Sequence, residues 1–240
     1  MSTSEKSFVI VDAGNTSIKV AQVKNSRIKR VQRFGHISEA ISSIPGADIV
    51  CASVLSEDFQ QIVSENGGSL HQITYQSSLP FKSAYRSMKT IGIDRLCNVA
   101  GALKSFKGKN CLIIDIGTCI KFDLISESNV YLGGSISPGI DLRYKALNEY
   151  TSQLPLLDLK LNAPIIGEDT NGSMHSGVIN GLLHEIEGMI SRYEKDFEDL
   201  KILITGGDAS YFDFPQKSNI FANKNLTLEG IVEIYEINAF

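Results

Sequence analysis

The 240-residue sequence has no tryptophan, six prolines and four histidines, and no apolar run near the roughly 18 residues that a membrane-spanning helix requires. A helical span is therefore not expected. Positive charge is in the minority, with 23 lysines and arginines against 27 aspartates and glutamates, for a net charge of −4. That balance argues against a nucleic-acid surface and against a basic helix lying on a membrane, both of which need clustered positive charge. The group from Lys104 to Lys109 reads as a solvated loop. Met1 to Ser7 is polar and lacks the apolar stretch of a secretory signal, so the expected location is the cytoplasm. The four cysteines, Cys51, Cys97, Cys111 and Cys119, show no C-x-x-C spacing, and two fall in or beside apolar strands; reduced structural thiols are expected. His36, His71, His175 and His184 have no paired ligand spacing, which leaves transition-metal chemistry without support. No Ser/His or Cys/His nucleophile pair stands out.

What is present is a repeat. The run Phe8 to Val11 ends on Asp12 and continues Ala13-Gly14-Asn15-Thr16-Ser17-Ile18-Lys19, while Cys111 to Ile114 ends on Asp115 and continues Ile116-Gly117-Thr118-Cys119-Ile120-Lys121. Each copy reads as a buried strand ending on an aspartate, then a glycine turn and a second β-branched segment. Gly14 and Gly117 let backbone N–H groups approach an anion, and Thr16 and Thr118 add hydroxyl donors. A carboxylate does not itself attract phosphate, so Asp12 and Asp115 imply a cation bridging to the ligand, either Mg²⁺ or a monovalent ion. One Asp-x-Gly is a common strand-ending turn. Two copies, each heading a similar half, point to triphosphate binding and to two lobes sharing one cleft.

The 42% hydrophobic content is enough for one large or two small compact domains. Strands are expected over 15–23 and 27–34, a helix over 36–44 stopped by Pro45-Gly46, a strand over 48–53, a helix over 58–65 and a strand over 70–74, an order that resembles a ribonuclease-H-like half. Gly92-Ile93-Asp94-Arg95 then leads into an apolar helix through Leu103. Asp94 reads in two ways: as a first-turn carboxylate with Arg95 its surface partner, or as an acceptor of a hydroxyl proton with Arg95 holding an anionic group. Beyond Asp123 the pattern gives a strand around Tyr131 and a turn at Gly133-Gly134, which is either an anion approach or a tight structural turn. A helix follows from Ser137-Pro138-Gly139, then a helix over 173–193, a strand over 201–205 delivering Gly206-Gly207, and a strand plus terminal helix over 226–235.

With these motifs in order, the chain resembles the type III pantothenate kinases, members of the acetate and sugar kinase, heat-shock ATPase and actin superfamily. The resemblance rests on Asp12 to Thr16 with Lys19, Gly92 to Arg95, Asp115 to Thr118, Gly133 to Gly139, Leu147 through Thr151 to Leu154-Pro155, and Thr205 to Ala209. It implies an α/β fold of two ribonuclease-H-like lobes, here 1–109 and 110–240, and ATP-dependent phosphorylation of pantothenate to 4′-phosphopantothenate, the first step of coenzyme A synthesis. By resemblance, Asp12, Ala13, Gly14, Asn15, Thr16, Ser17, Ile18 and Lys19 form the ATP phosphate loop. Thr118 contacts the nucleotide phosphates, and Gly206 and Gly207 lie against the adenosine. Asp115 binds the monovalent cation, K⁺ or NH₄⁺, and Mg²⁺ comes with ATP. Gly92, Ile93, Asp94 and Arg95 line the pantothenate site with Asp94 as proton acceptor, Tyr85 contacts the same substrate, and Thr170 reaches it from the second lobe. A homodimer is implied, with the substrate site near the subunit interface.

Three departures from the family pattern affect the fine shape of the site. Lys121 stands where a threonine is more frequent, and either adds a phosphate contact or points to solvent; His175 stands in place of glutamine, and Ser87-Met88 in place of Asn-Pro. A kinase of another small hydroxylated acceptor would share both turns, and a non-catalytic regulatory protein of the Bvg accessory factor kind is the alternative outside enzymes. An aspartic protease pairs two Asp-containing turns as well, but follows Asp with Thr or Ser, where this chain has Ala13 and Ile116.

Overall fold

In the computed structural model, which describes residues 7–54, 63–64, 67–214 and 217–239, the chain forms two units. The first takes in the chain up to Gly108, Ser128–Leu132 and everything from Asn225; the second takes in Lys109–Glu127 and Gly133–Lys224.

The first unit is built on a sheet in the order β3-β2-β1-β4-β5, with β1 (Ser7–Ala13), β2 (Ile18–Lys24), β3 (Arg27–Phe34), β4 (Asp48–Ser53) and β5 (Ser69–Gln72). β1 lies between the antiparallel β2 and the parallel β4, and its consecutive residues Ile10 and Val11, on opposite faces of the sheet, are both fully buried, in keeping with its almost continuously apolar sequence. The β2–β3 link turns through Asn25 and Ser26 at φ 51° and 60°, the left-handed pair that a two-residue hairpin needs. α1 (Ile37–Ser42) buries Ile37, Ala40 and Ile41 in a core with Val11, Val20 and Ile49. β6 (Lys82–Ser83) pairs in parallel with Val130 and Tyr131. α2 (Ile93–Phe106) packs along the last helix, α5 (Leu226–Asn238).

The second unit carries a sheet with the order β11-β10-β7-β8-β9, made by β7 (Cys111–Ile116), β8 (Cys119–Ile125), β9 (Val130–Pro138), β10 (Lys201–Thr205) and β11 (Ile220–Ala222). β7 and β8 are an antiparallel hairpin, and β10 runs parallel to β7, placing the C-terminal ends of both strands side by side. α3 (Ile140–Glu149) and α4 (Thr170–Asp196) cover this sheet; Leu182, Ile186 and Ile190 of α4 share a core with Leu112, Ile114 and Ile202.

Most expected elements are found, and three expectations change. Residues 226–235 form no strand, because the whole segment belongs to α5. Gly133-Gly134 is not a turn but lies inside β9, where a side chain at Gly134 would meet the Phe122 carbonyl oxygen of β8 at 1.6 Å. α4 begins at Thr170 because the Asp169 side chain accepts the Gly172 N–H at 2.6 Å, an N-cap that starts the helix ahead of its first apolar residue. The helix expected over 58–65 falls for the most part outside the described residues, as does the tail before Ser7. β6, β11 and the short 3₁₀ turn Met88–Thr90 had no sequence signal, being two or three residues long.

Candidate functional site

The Asp12 turn joins β1 to β2. Gly14 N–H donates to the Ser17 carbonyl at 3.2 Å and closes a four-residue loop that leaves Asn15 and Thr16 exposed. The register sets Asp12 directly opposite Lys19, and Lys19 Nζ lies 3.3 Å from Asp12 Oδ2. The loop is thus an exposed set of donors above an ion pair held by the hairpin.

Asp94 and Arg95 open α2, with Gly92 in the extended N-cap conformation. Asp94 Oδ1 accepts the Arg95 N–H at 2.9 Å, which orients the carboxylate at the positive end of the helix. Arg95 is only 4% exposed, so it is not a surface partner; its guanidinium carbon lies 5.6 Å from the centre of the Tyr85 ring, which itself stacks on Tyr131 at 5.9 Å. The buried Cys97 thiol registers both aspartates. Its pKa is raised far above the usual thiol range, first by burial, then by the Asp12 and Asp94 carboxylates and by Cys51. Burial, with Asp12 second, pushes Cys51 up to about 12. The first unit therefore gathers the Asp12 turn and Asp94 around one buried helix start.

In the second unit three segments meet at the Gly117-Thr118 turn. Gly117 N–H donates to the Cys119 carbonyl at 3.2 Å, closing a tighter loop than the first copy, with Thr118 exposed. Gly139 N–H, just ahead of α3, donates to the Thr118 carbonyl at 3.0 Å. After β10, Gly206 adopts φ 104° and lies so close to Ile116 that a side chain there would meet its carbonyl oxygen at 2.1 Å; Asp208 N–H then donates to that oxygen at 3.0 Å. Thr118, Gly206 and Gly207 are brought together in this way. Burial, then the Asp141 and Asp115 carboxylates, hold the Asp208 carboxyl above its usual range.

Lys121 does not point to solvent. It faces Asp115 across the β7–β8 hairpin, with Nζ 2.8 Å from Asp115 Oδ2 and the two side chains 16% and 13% exposed. The pairing was available in the sequence, because a two-residue turn at Gly117-Thr118 fixes the register that opposes residues 115 and 121. Asp141 and Asp208 had no such signal, since they reach the turn from α3 and from the loop after β10.

Thr170, at the start of α4, lines an open groove of about 940 Å³ within the second unit, together with Arg143, Tyr150, Thr151 and Met174. Arg143 donates through Nε to the Pro138 carbonyl at 2.9 Å and pairs with Glu185, which also accepts from Ser137. His175 Nδ1 and the Tyr144 hydroxyl share a 2.8 Å hydrogen bond, so this departure from the family pattern is satisfied internally. Among the described residues no group of three or more His, Cys, Asp or Glu side chains could hold a metal, and no helix is long and apolar enough to cross a membrane.

Comparison with known proteins gives the family and the fold. A family model described as type III pantothenate kinase matches residues 8–192. The chain is 40% identical over 239 residues to the type III pantothenate kinase of Christiangramia forsetii, covering 96% of this chain and 98% of that one. It is 41% identical over 237 residues to the one from Flavobacterium johnsoniae, covering 95% and 97%. Among solved structures it is similar to a Campylobacter jejuni protein of the Baf family, with a TM-score of 0.66 at 19% identity over 97% of this chain and 99% of that chain. It is also similar to a glucokinase from Balamuthia mandrillaris, with a TM-score of 0.51 at 11% identity over 98% and 95%. These two likenesses show the fold, that of the actin-like ATPases and sugar kinases.

Proposed function

The chain belongs to the type III pantothenate kinase family, and we propose that Asp94 receives the hydroxyl proton when it carries out the family reaction, ATP-dependent phosphorylation of pantothenate for coenzyme A synthesis. The observation that carries this assignment is the placement of Asp94, fixed by a backbone hydrogen bond at the start of α2 next to the buried Arg95, whose guanidinium lies over Tyr85. Phosphoryl transfer through a loose transition state asks mainly for positioning and for neutralised charge. Asp94 then need not be a strong base.

Roles follow for the other residues. Asp12 to Lys19 are assigned to the ATP phosphates, where Asn15 and Thr16 are the exposed residues of the loop. Thr118, Gly206 and Gly207 are assigned to the nucleotide, and Asp115 to a positive charge beside it. Gly92, Ile93, Arg95, Tyr85 and Thr170 are assigned to pantothenate; a buried guanidinium over an aromatic ring suits its carboxylate, because the planar fork is already oriented. With no acidic cage among the described residues and the Asp12 carboxylate already paired with Lys19, Mg²⁺ fits as an ion that would be carried in on the nucleotide phosphates. When bound, the ion neutralises charge on the phosphate oxygens. The free thiols suit a reducing cytoplasm.

A homodimer is part of this reading. Tyr150, Leu156, Ile165 and Ile166 lie on the second unit with 60% or more of their surface exposed, more apolar surface than single scattered residues present. Light scattering should give twice the 26.3 kDa chain mass; a monomer at micromolar concentration would refute it.

A coupled ADP-release assay with Mg-ATP and pantothenate tests the catalytic assignment. Asp94→Asn keeps an oxygen to accept the Arg95 N–H but loses proton acceptance, so kcat should fall by about 10²–10⁴ while KM for ATP moves by less than about threefold. Equal losses in both would count against the proton-acceptor role. Absence of pantothenate-dependent turnover in a protein that still binds ATP would move the assignment to another acceptor.

A further inference from the structure

We propose that Lys121 is a built-in counter-cation for Asp115, taking the place of the K⁺ or NH₄⁺ that the resemblance implies there, so that this kinase works without added monovalent cation; the proposal rests on the kinase reading above. Lys121 Nζ already lies 2.8 Å from Asp115 Oδ2, and both side chains are largely shielded from water. A second monovalent ion on the same carboxylate would sit against a like charge in a shielded site, where the repulsion is stronger than in water. The residues present therefore do not fit a bound cation at Asp115.

The pairing is structural, not a chance surface contact. Residues 115 and 121 are direct cross-strand partners in the β7–β8 hairpin, and the first turn repeats the arrangement with Asp12 opposite Lys19 at 3.3 Å. Each hairpin thus carries its own ammonium on the aspartate that ends its first strand. The second one stands where charge is most needed, since Asp208 lies within electrostatic reach of both Asp115 and Asp141. A tethered ammonium supplies that charge at every salt composition, because its local concentration is set by the fold and not by the medium.

The test measures pantothenate-dependent turnover at constant ionic strength in tetramethylammonium, Na⁺, K⁺ and NH₄⁺ chlorides, beside Mg-ATP binding by calorimetry in the same salts. The wild-type protein should give rates and nucleotide affinities that agree within about twofold in all four salts. Lys121→Thr should lose about tenfold or more in nucleotide affinity and rate in tetramethylammonium, and recover most of it in K⁺ or NH₄⁺, because a hydroxyl then leaves the carboxylate open to an ion. Wild-type activity that needs K⁺ or NH₄⁺ would overturn the proposal without any variant, as would a Lys121→Thr protein equally active, or equally impaired, in every salt. If no salt gives pantothenate-dependent turnover, the kinase reading fails on its own, and the salt dependence of Mg-ATP binding still decides the role of Lys121.

Discussion

Arg95 shows how one residue type can be read from the sequence in two opposite ways. After an aspartate at a helix start, an arginine is most simply a surface partner; here it is buried, with its guanidinium over Tyr85 and Tyr85 on Tyr131. Nothing in the local pattern signals this, because Tyr131 enters from β9, a segment far along the chain. Asp208 is the counterpart in the second unit, a carboxylate whose environment opposes its charge. Burial, then Asp141 and Asp115, raise its pKa above the ordinary 3.8, so ionisation costs more in the folded than in the unfolded chain. The sign follows directly: below the unfolded value both states are protonated and the cost is absent, and it grows as pH rises through the raised folded value. Asp208→Asn should therefore move the urea midpoint upward at about pH 7, and the gain should fade as pH falls toward about 4. A gain of the same size at both pH values would mean that charge is not its cause.

At the scale of elements, the contact between α2 and α5 depends on two missing side chains. A side chain at Gly101 would meet the Leu226 carbonyl oxygen at 2.4 Å, and one at Gly230 would meet the Cys97 carbonyl oxygen at 1.7 Å, so the helices approach backbone to backbone. The seam also holds one buried polar contact, Thr227 Oγ1 donating to Asn98 Oδ1 at 2.8 Å, with Lys104 and Glu233 paired outside it at 2.8 Å. Gly230→Ala must push the helices apart, since backbone cannot rotate away as a side chain can. A loss of about 3 kcal/mol is expected, at the upper end for overpacking, and urea unfolding measures it; a loss under about 1 kcal/mol would show that the pair slides freely. The strand expected within residues 226–235 has a local cause. Leu226, Leu228, Ile231, Val232 and Ile234 are all buried and read locally as an apolar, partly β-branched run, while the helical period is carried by Glu229, Glu233 and Glu236 at i, i+4 and i+7 on the less buried face. At Gly133-Gly134 a glycine pair, which usually marks a turn, instead admits the neighbouring strand.

For the whole molecule, the sequence discloses the two Asp-Gly hairpins, because strand periodicity and turn residues are local. The return of residues 128–132 and 225–240 to the first unit is a matter of tertiary partners, and no neighbouring residue announces it. That return has an energetic consequence. The five buried aliphatic side chains of α5 each contribute about 1.5–3 kcal/mol by burial, on the order of 10 kcal/mol together, which is comparable to the whole net stability of about 5–15 kcal/mol for a typical domain. The first unit should therefore not hold its sheet without α5, although β1 to β5 are complete before residue 75, whereas the second unit uses no residue beyond Lys224. A chain ending at Lys224 separates the two cases. Hydrogen exchange should show β1, β2 and β4 amides unprotected while those of β7, β8 and β10 stay protected. Protection retained in β1 would mean that the first sheet is stable alone and that α5 only covers it. Loss of protection in both sheets would mean that the second unit depends on the first, and the two units would have to be treated as one folding body.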